Sequence, residues 1–158
     1  MVVIVTGNIN SGKTTRMKAL HQELGGDGFV MEKTMDKETV KSYHARRLTT
    51  DEARLLVLRE GYEDPSFKEA TRIGPYRFDT ETLHWVEASM RELMMIDRSP
   101  LFLDEVGVLE LRGEGFDRIL GALADYQAPV YISVREDLIR DIVKRYRFKQ
   151  VTVQGLKE

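Results

Sequence analysis

The chain has 158 residues, 42% of them apolar and 32% charged. That is enough for one globular domain with its own core, and too apolar for a disordered chain. Lys and Arg number 24 against 26 Asp and Glu, a formal net charge of −2, so there is no bulk basic signal for nucleic acid. Cysteine is absent, which excludes disulfides, thiolate metal sites and cysteine nucleophiles. No apolar run reaches membrane-spanning length. The apolar start is too short for a secretory signal, so a cytoplasmic location with no membrane partner is expected.

Val2 to Val5 is a short β-branched run that reads as a buried strand. Gly7, Asn8, Ile9, Asn10, Ser11, Gly12, Lys13 and Thr14 follow, matching G-x-x-x-x-G-K-[ST], the phosphate-binding P-loop. Gly7 and Gly12 allow a tight turn and a close approach to a ligand. The loop's N–H groups then converge on phosphate oxygens. Lys13 adds a full charge between the β- and γ-phosphates, and the Thr14 hydroxyl is a Mg²⁺ ligand. Thr15 belongs to the first turn of the helix that opens here and aims its positive end at the same anion. Met17, Leu20 and Leu24 fall at helical spacing, and Gly25-Gly26 supplies the stop.

Further on, Phe29 to Met31 predicts a second short strand. Residues 33–41 are polar and read as a loop. Lys41–Thr50 and Glu52–Glu60 predict a β-hairpin turning near Thr50-Asp51. Residues 61–74 read as a long loop, and Pro75–Asp79 as a strand. A helix over Glu81–Asp97 is capped by Asp79 or Thr80 and carries Leu83, Val86, Met90, Leu93 and Met94 on one face. His84 and Trp85 read as partly buried packing residues beside that stripe. Leu101–Leu103 is a buried strand ending at Asp104-Glu105. Gly113–Asp125 and Asp137–Tyr146 are helical, Pro129–Val134 is a buried strand, and Phe148–Val153 closes the chain as another. Short apolar strands alternating with helices predict an α/β fold over residues 1–158 as a single domain. The sheet is expected to be mostly parallel with helices on both faces and an antiparallel hairpin added at one edge. Ligands in such sheets sit at the carboxyl ends of the strands, where the P-loop, Asp104-Glu105 and Arg135 all fall.

LFLDE (Leu101 to Glu105) has the Walker B pattern, an apolar strand ending in an acid. Asp104 is placed opposite Thr14 as the second Mg²⁺ ligand, and Glu105 as the residue that orients or deprotonates an attacking water. Asp104-Glu105-Val106-Gly107 also fits the D-x-x-G switch motif of GTPases. The only asparagines are Asn8 and Asn10, so the Asn-Lys-x-Asp reader of guanine is missing.

TGNINSGKTT (Thr6 to Thr15) together with FLDEVGVLEL (Phe102 to Leu111) resembles the small P-loop nucleoside-triphosphatase family. Asp104, Glu105, Val106 and Gly107, then Leu109, Glu110 and Leu111, match its Asp-Glu-hydrophobic-Gly and hydrophobic-Glu-hydrophobic runs. GPYRFDTETL (Gly74 to Leu83) and YISVR (Tyr131 to Arg135) match its strand-to-helix entry and a late strand. The chain departs from the family's pattern in the polar P-loop interior and in the second strand, Gly28 to Lys33. The resemblance implies a P-loop NTPase fold and Mg²⁺-dependent hydrolysis of nucleoside triphosphates with broad base tolerance. Lys13 and the P-loop amides would neutralise the transferring phosphoryl group, and Glu105 would position water. Arg112 is the first candidate for an additional cation at the γ-phosphate, followed by Arg72, Arg77, Arg46 and Arg47. Arg135 is placed to stack on the base. Two alternatives stand beside this reading. One is a nucleoside or nucleotide kinase with a lid carrying Lys68 and Arg72. The other is a nucleotide-binding accessory protein with slow hydrolysis.

Overall fold

The computed structural model describes residues 1–8 and 12–156. Its strands are β1 (Val2–Gly7), β2 (Asp27–Asp36), β3 (Thr39–Arg47), β4 (Ala53–Arg59), β5 (Glu69–Ile73), β6 (Tyr76–Asp79), β7 (Leu101–Val106), β8 (Val130–Arg135) and β9 (Val151–Gly155). Its helices are α1 (Lys13–Leu24), α2 (Thr80–Met95), α3 (Val108–Leu111), α4 (Asp117–Ala124) and α5 (Ile139–Tyr146), with a single 3₁₀ turn at Glu136–Leu138 before the last. All strands belong to one nine-stranded sheet in the order β5-β6-β4-β3-β2-β7-β8-β1-β9. From β2 to β9 the neighbours run parallel. From β2 outward through β3, β4, β6 and β5 they run antiparallel.

The alternation of side chains along each central strand divides the core in two. Val5, Val30 and Phe102 face Met17 and Leu20 of α1 on one side of the sheet, with Leu48, Tyr131 and Leu156 packed against them. Val2, Ile4, Leu101, Leu103, Val130 and Ile132 face the other side. There they meet Val86, Met90 and Leu93 of α2, Ile119, Leu120 and Leu123 of α4, and Ile142 of α5. These central strands are covered on both faces and read as unbroken apolar runs, which is why their positions were legible. The cap of α2 is Asp79, whose carboxylate accepts from the Thr82 amide at 2.9 Å and from the Lys68 amide at 2.8 Å.

The antiparallel part exceeds the expected hairpin. The polar stretch 33–41 is not a loop: it forms the outer half of β2 and the start of β3, turning at Lys37 with φ 55°. Residues 69–73, expected within the long loop, form β5 against β6. Both segments are largely solvent-facing, so they carry no apolar signal and are held by ladder hydrogen bonds and cross-strand pairs. Three further expectations change. The helix expected from Gly113 begins at Asp117 and is preceded by the separate short α3. Leu24 ends exposed. His84 is exposed too, while Trp85 packs edge-on against Phe29 with centroids 5.0 Å apart.

The start of β2 lies unusually close to β7. A Cβ on Gly28, where φ is +148°, would stand 2.1 Å from the Phe102 carbonyl oxygen and 2.6 Å from its nitrogen. Backbone atoms cannot yield to such a clash, so Gly28→Ala must separate the two strands. An alanine there should lower unfolding free energy by about 3 kcal/mol or more in urea titration. A loss below about 1 kcal/mol, the size of the conformational cost alone, would contradict the close approach.

Candidate functional site

The carboxyl ends of β1, β7 and β8 lie side by side, and three segments converge on that rim. Gly12 caps α1 in a left-handed conformation (φ 88°) with no side chain capping the helix. The first-turn amides of α1 are therefore available to an anion rather than to a cap. Lys13 is buried, and its ammonium donates to the Asn8 carbonyl at 2.9 Å and makes a long contact with the Gly7 carbonyl at 3.5 Å. Ile9, Asn10 and Ser11, expected to line the phosphate site, lie outside the described residues.

Asp104, at the end of β7, has no exposed surface. Its Oδ2 accepts from the Thr14 hydroxyl at 2.7 Å and from the Met31 amide at 2.9 Å. Its Oδ1 accepts from the Glu105 amide at 3.1 Å and from the Ser133 hydroxyl. Burial pushes this carboxyl above its ordinary value, and the four donors oppose that push. The same Ser133 hydroxyl accepts from the Glu105 amide at 2.7 Å, so β8 fixes both acids.

Glu105 is a non-glycine residue at φ 60°. The β7–β8 register shifts between Leu103 and Val106 at this point, a bulge that turns the Glu105 side chain out of the ladder. Left-handed backbone at such a residue costs on the order of 1–3 kcal/mol. Glu105 reaches solvent through the cleft yet is crowded by protein atoms. Burial, and after it the Asp104 charge, push it up to about 7, against the pull of Lys13, Lys33 and Arg135.

These residues line a cleft of about 700 Å³. Gly12, Lys13, Thr14 and Thr15 line it together with Glu105 and Arg135. The wall after β7 is held by Glu110, which is 3% exposed and accepts from the Gly107 amide at 2.8 Å and the Phe116 amide at 3.0 Å. Glu110 thus staples the loop that follows the acid pair, and burial raises it to about 7.

The expected arginines do not line this cleft. Arg112 pairs with Glu114 at 2.8 Å and donates to the Arg72 carbonyl. Arg72 holds Glu69, Arg46 holds Glu32, Arg47 holds the buried Asp27 at 2.9 Å, and Arg77 donates to the Tyr62 carbonyl. Lys68 pairs with Glu81 at 3.0 Å. The cations that do line the cleft are Lys13, Lys18, Lys33 and Arg135. Arg135 makes two hydrogen bonds to Asp137, at 2.9 and 3.1 Å. Lys33 and Tyr43, another lining residue, are not evident from the sequence, because only the β2–β3 pairing carries them to the site.

Thr14 and Asp104 present a hydroxyl and a carboxylate oxygen 2.7 Å apart. Mg²⁺ takes hard oxygen ligands and usually few from protein, the rest coming from phosphate and water. The donor set fits that ion.

A P-loop motif at the entry to α1 with an acid pair on β7, one strand removed from β1 across β8, defines a P-loop NTPase-like site. The family model for NTPase matches residues 2–157, and the chain belongs to that family of enzymes. It is 25% identical over 150 residues to nucleoside-triphosphatase THEP1 of Aquifex aeolicus, covering 93% of this chain and 84% of the relative. The crystal structure of THEP1 from the same organism superposes with a TM-score of 0.73 at 19% identity, covering 99% of this chain and 90% of that one. The solution structure of a human cancer-related nucleoside triphosphatase gives 0.67 at 20% identity, covering 99% and 88%. These structures establish the fold.

The strain at Glu105 yields a stability test. Glu105→Gly should unfold about 1 kcal/mol later than Glu105→Ala in urea titration, because glycine accepts this backbone where alanine does not. In an ordinary strand the order is reversed, and finding that reversed order here would refute the left-handed geometry.

Proposed function

We propose that the chain hydrolyses nucleoside triphosphates to the diphosphate and phosphate in a Mg²⁺-dependent reaction, with the attacking water positioned by Glu105. The observation that carries this reading is the placement of Glu105 in the cleft beside the buried Asp104–Thr14 pair. A left-handed backbone kept at a non-glycine residue whose side chain lines the cleft with Lys13 and Thr14 is a device for aiming its carboxylate. The Aquifex relative is a nucleoside-triphosphatase, which supports the same substrate class.

The triphosphate lies along the first turn of α1, its β- and γ-phosphates held by the amides there and by Lys13. Lys13 leaves its loop carbonyls to do so. Thr14 and Asp104 are the residues that hold Mg²⁺, which when bound neutralises charge on the phosphate oxygens. Glu105 accepts a proton from the water as its oxygen attacks the γ-phosphorus. The bond from that phosphorus to the β–γ bridging oxygen breaks, and the nucleoside diphosphate leaves. Arg135, once it releases Asp137, would stack on the base. Donors already aimed at the phosphoryl group supply most of the acceleration.

The test is phosphate release from each common nucleoside triphosphate with Mg²⁺ and no organic acceptor. Wild type should release phosphate steadily from several of them. Glu105→Gln should lose about 10²–10⁴-fold in kcat while still binding nucleotide. Release that is negligible in wild type until an alcohol or nucleotide acceptor is added would replace hydrolysis with phosphoryl transfer.

A further inference from the structure

The cleft continues well past the phosphate loop. Lys33 pairs opposite Tyr43, Tyr43 opposite Val57, and Val57 opposite Phe78. Residues directly opposite in antiparallel strands share a face, so these four form one row across β2, β3, β4 and β6. All four line the cleft, together with Val40, Leu56, Ile73 and Tyr76. The antiparallel extension, which binding a triphosphate does not require, therefore builds part of the wall of the cleft that Glu105 also lines.

That wall is almost wholly apolar. Its hydroxyls belong to Tyr43 and Tyr76, and the Tyr76 hydroxyl already accepts from the Arg59 guanidinium at 3.1 Å. The Tyr43 hydroxyl has no hydrogen-bond partner among the described residues and is not sealed from the cleft. Its ring is partly buried against the core. Burial, and after it the Glu105 charge with smaller contributions from Tyr76 and Asp104, push it up to about 12. The hydroxyl consequently keeps its proton throughout the neutral range. A water poised for attack has two protons to place while its lone pair faces phosphorus, and Glu105 takes only one of them. An ordered water in a small apolar space needs at least two polar partners.

We propose that Tyr43 is a catalytic residue of this site, its phenol oxygen accepting the second hydrogen bond of the attacking water that Glu105 activates. No proton is transferred to or from Tyr43, because the proton released on attack goes to Glu105. The inference rests on the hydrolytic reading.

Tyr43→Phe tests it, since the ring and its packing are retained. Steady-state phosphate release from ATP with Mg²⁺ should show kcat lowered about tenfold to a hundredfold. KM, the affinity for a non-hydrolysable ATP analogue and the melting temperature should stay at wild-type values. An unchanged kcat overturns the proposal. So does a kcat loss accompanied by matching losses in affinity or melting temperature, since that pattern marks a structural role. Glu105→Gln measured in parallel separates the two readings. If Glu105→Gln is inactive and Tyr43→Phe is as fast as wild type, only the Tyr43 proposal fails. If Glu105→Gln keeps full phosphate release, the role of Glu105 in positioning water fails, and the Tyr43 proposal, which needs that water, fails with it.

Discussion

A carboxylate with no exposed surface is tolerable only where its lone pairs are matched by donors, and Asp104 draws these from four different places. Met31 supplies an amide from β2, Thr14 a hydroxyl from α1, Ser133 a hydroxyl from β8, and Glu105 the next amide of its own strand. Each donor comes from an element that borders the cleft. Losing any one leaves an unpaired group in a dry environment, at a cost of about 1–3 kcal/mol. The carboxylate thus sets the relative positions of the phosphate helix, the strand that leads to the antiparallel extension, and the strand that leads to Arg135.

The bulge after Asp104 follows from the same constraint. The Glu105 amide turns back toward Asp104 and Ser133, which drives φ positive at that residue. The side chain swings out of the ladder into open cleft as a consequence. Structural satisfaction of one acid and functional presentation of its neighbour are therefore one backbone event. The two acids also differ in kind: Asp104 is enclosed and fully bonded, whereas Glu105 is crowded but reachable by solvent. That difference suits one for a fixed ligand and the other for a group that exchanges protons.

Much of this was legible in the chain because the signals are local. The P-loop spacing, the apolar run ending at Asp104-Glu105 and the stripe of α2 depend on neighbours within a few residues, and the family resemblance rests on the same stretches. The outer half of β2 and all of β5 are exposed and polar, and their strand character comes from partners far along the chain. The arginines failed as cleft cations for a related reason. Arg112 follows the DEVGVLEL segment in sequence, but its fork is taken by Glu114 and the Arg72 carbonyl. Tyr43 had no functional signal, since its place in the cleft comes from pairing between strands far apart in the chain. Glu110 was visible as part of a motif, but its work in stapling residues 107 and 116 is a property of the folded loop.

The central claim is that the Asp104–Thr14 corner is where metal and nucleotide meet. Titration calorimetry of a non-hydrolysable triphosphate, with and without Mg²⁺, reaches it most directly when wild type is compared with Thr14→Ala and Asp104→Asn. Mg²⁺ should tighten binding to wild type and give little or no gain in either variant, while metal-free affinity stays similar for Thr14→Ala. An equal Mg²⁺ gain in all three proteins would contradict this account and move the metal site elsewhere in the cleft.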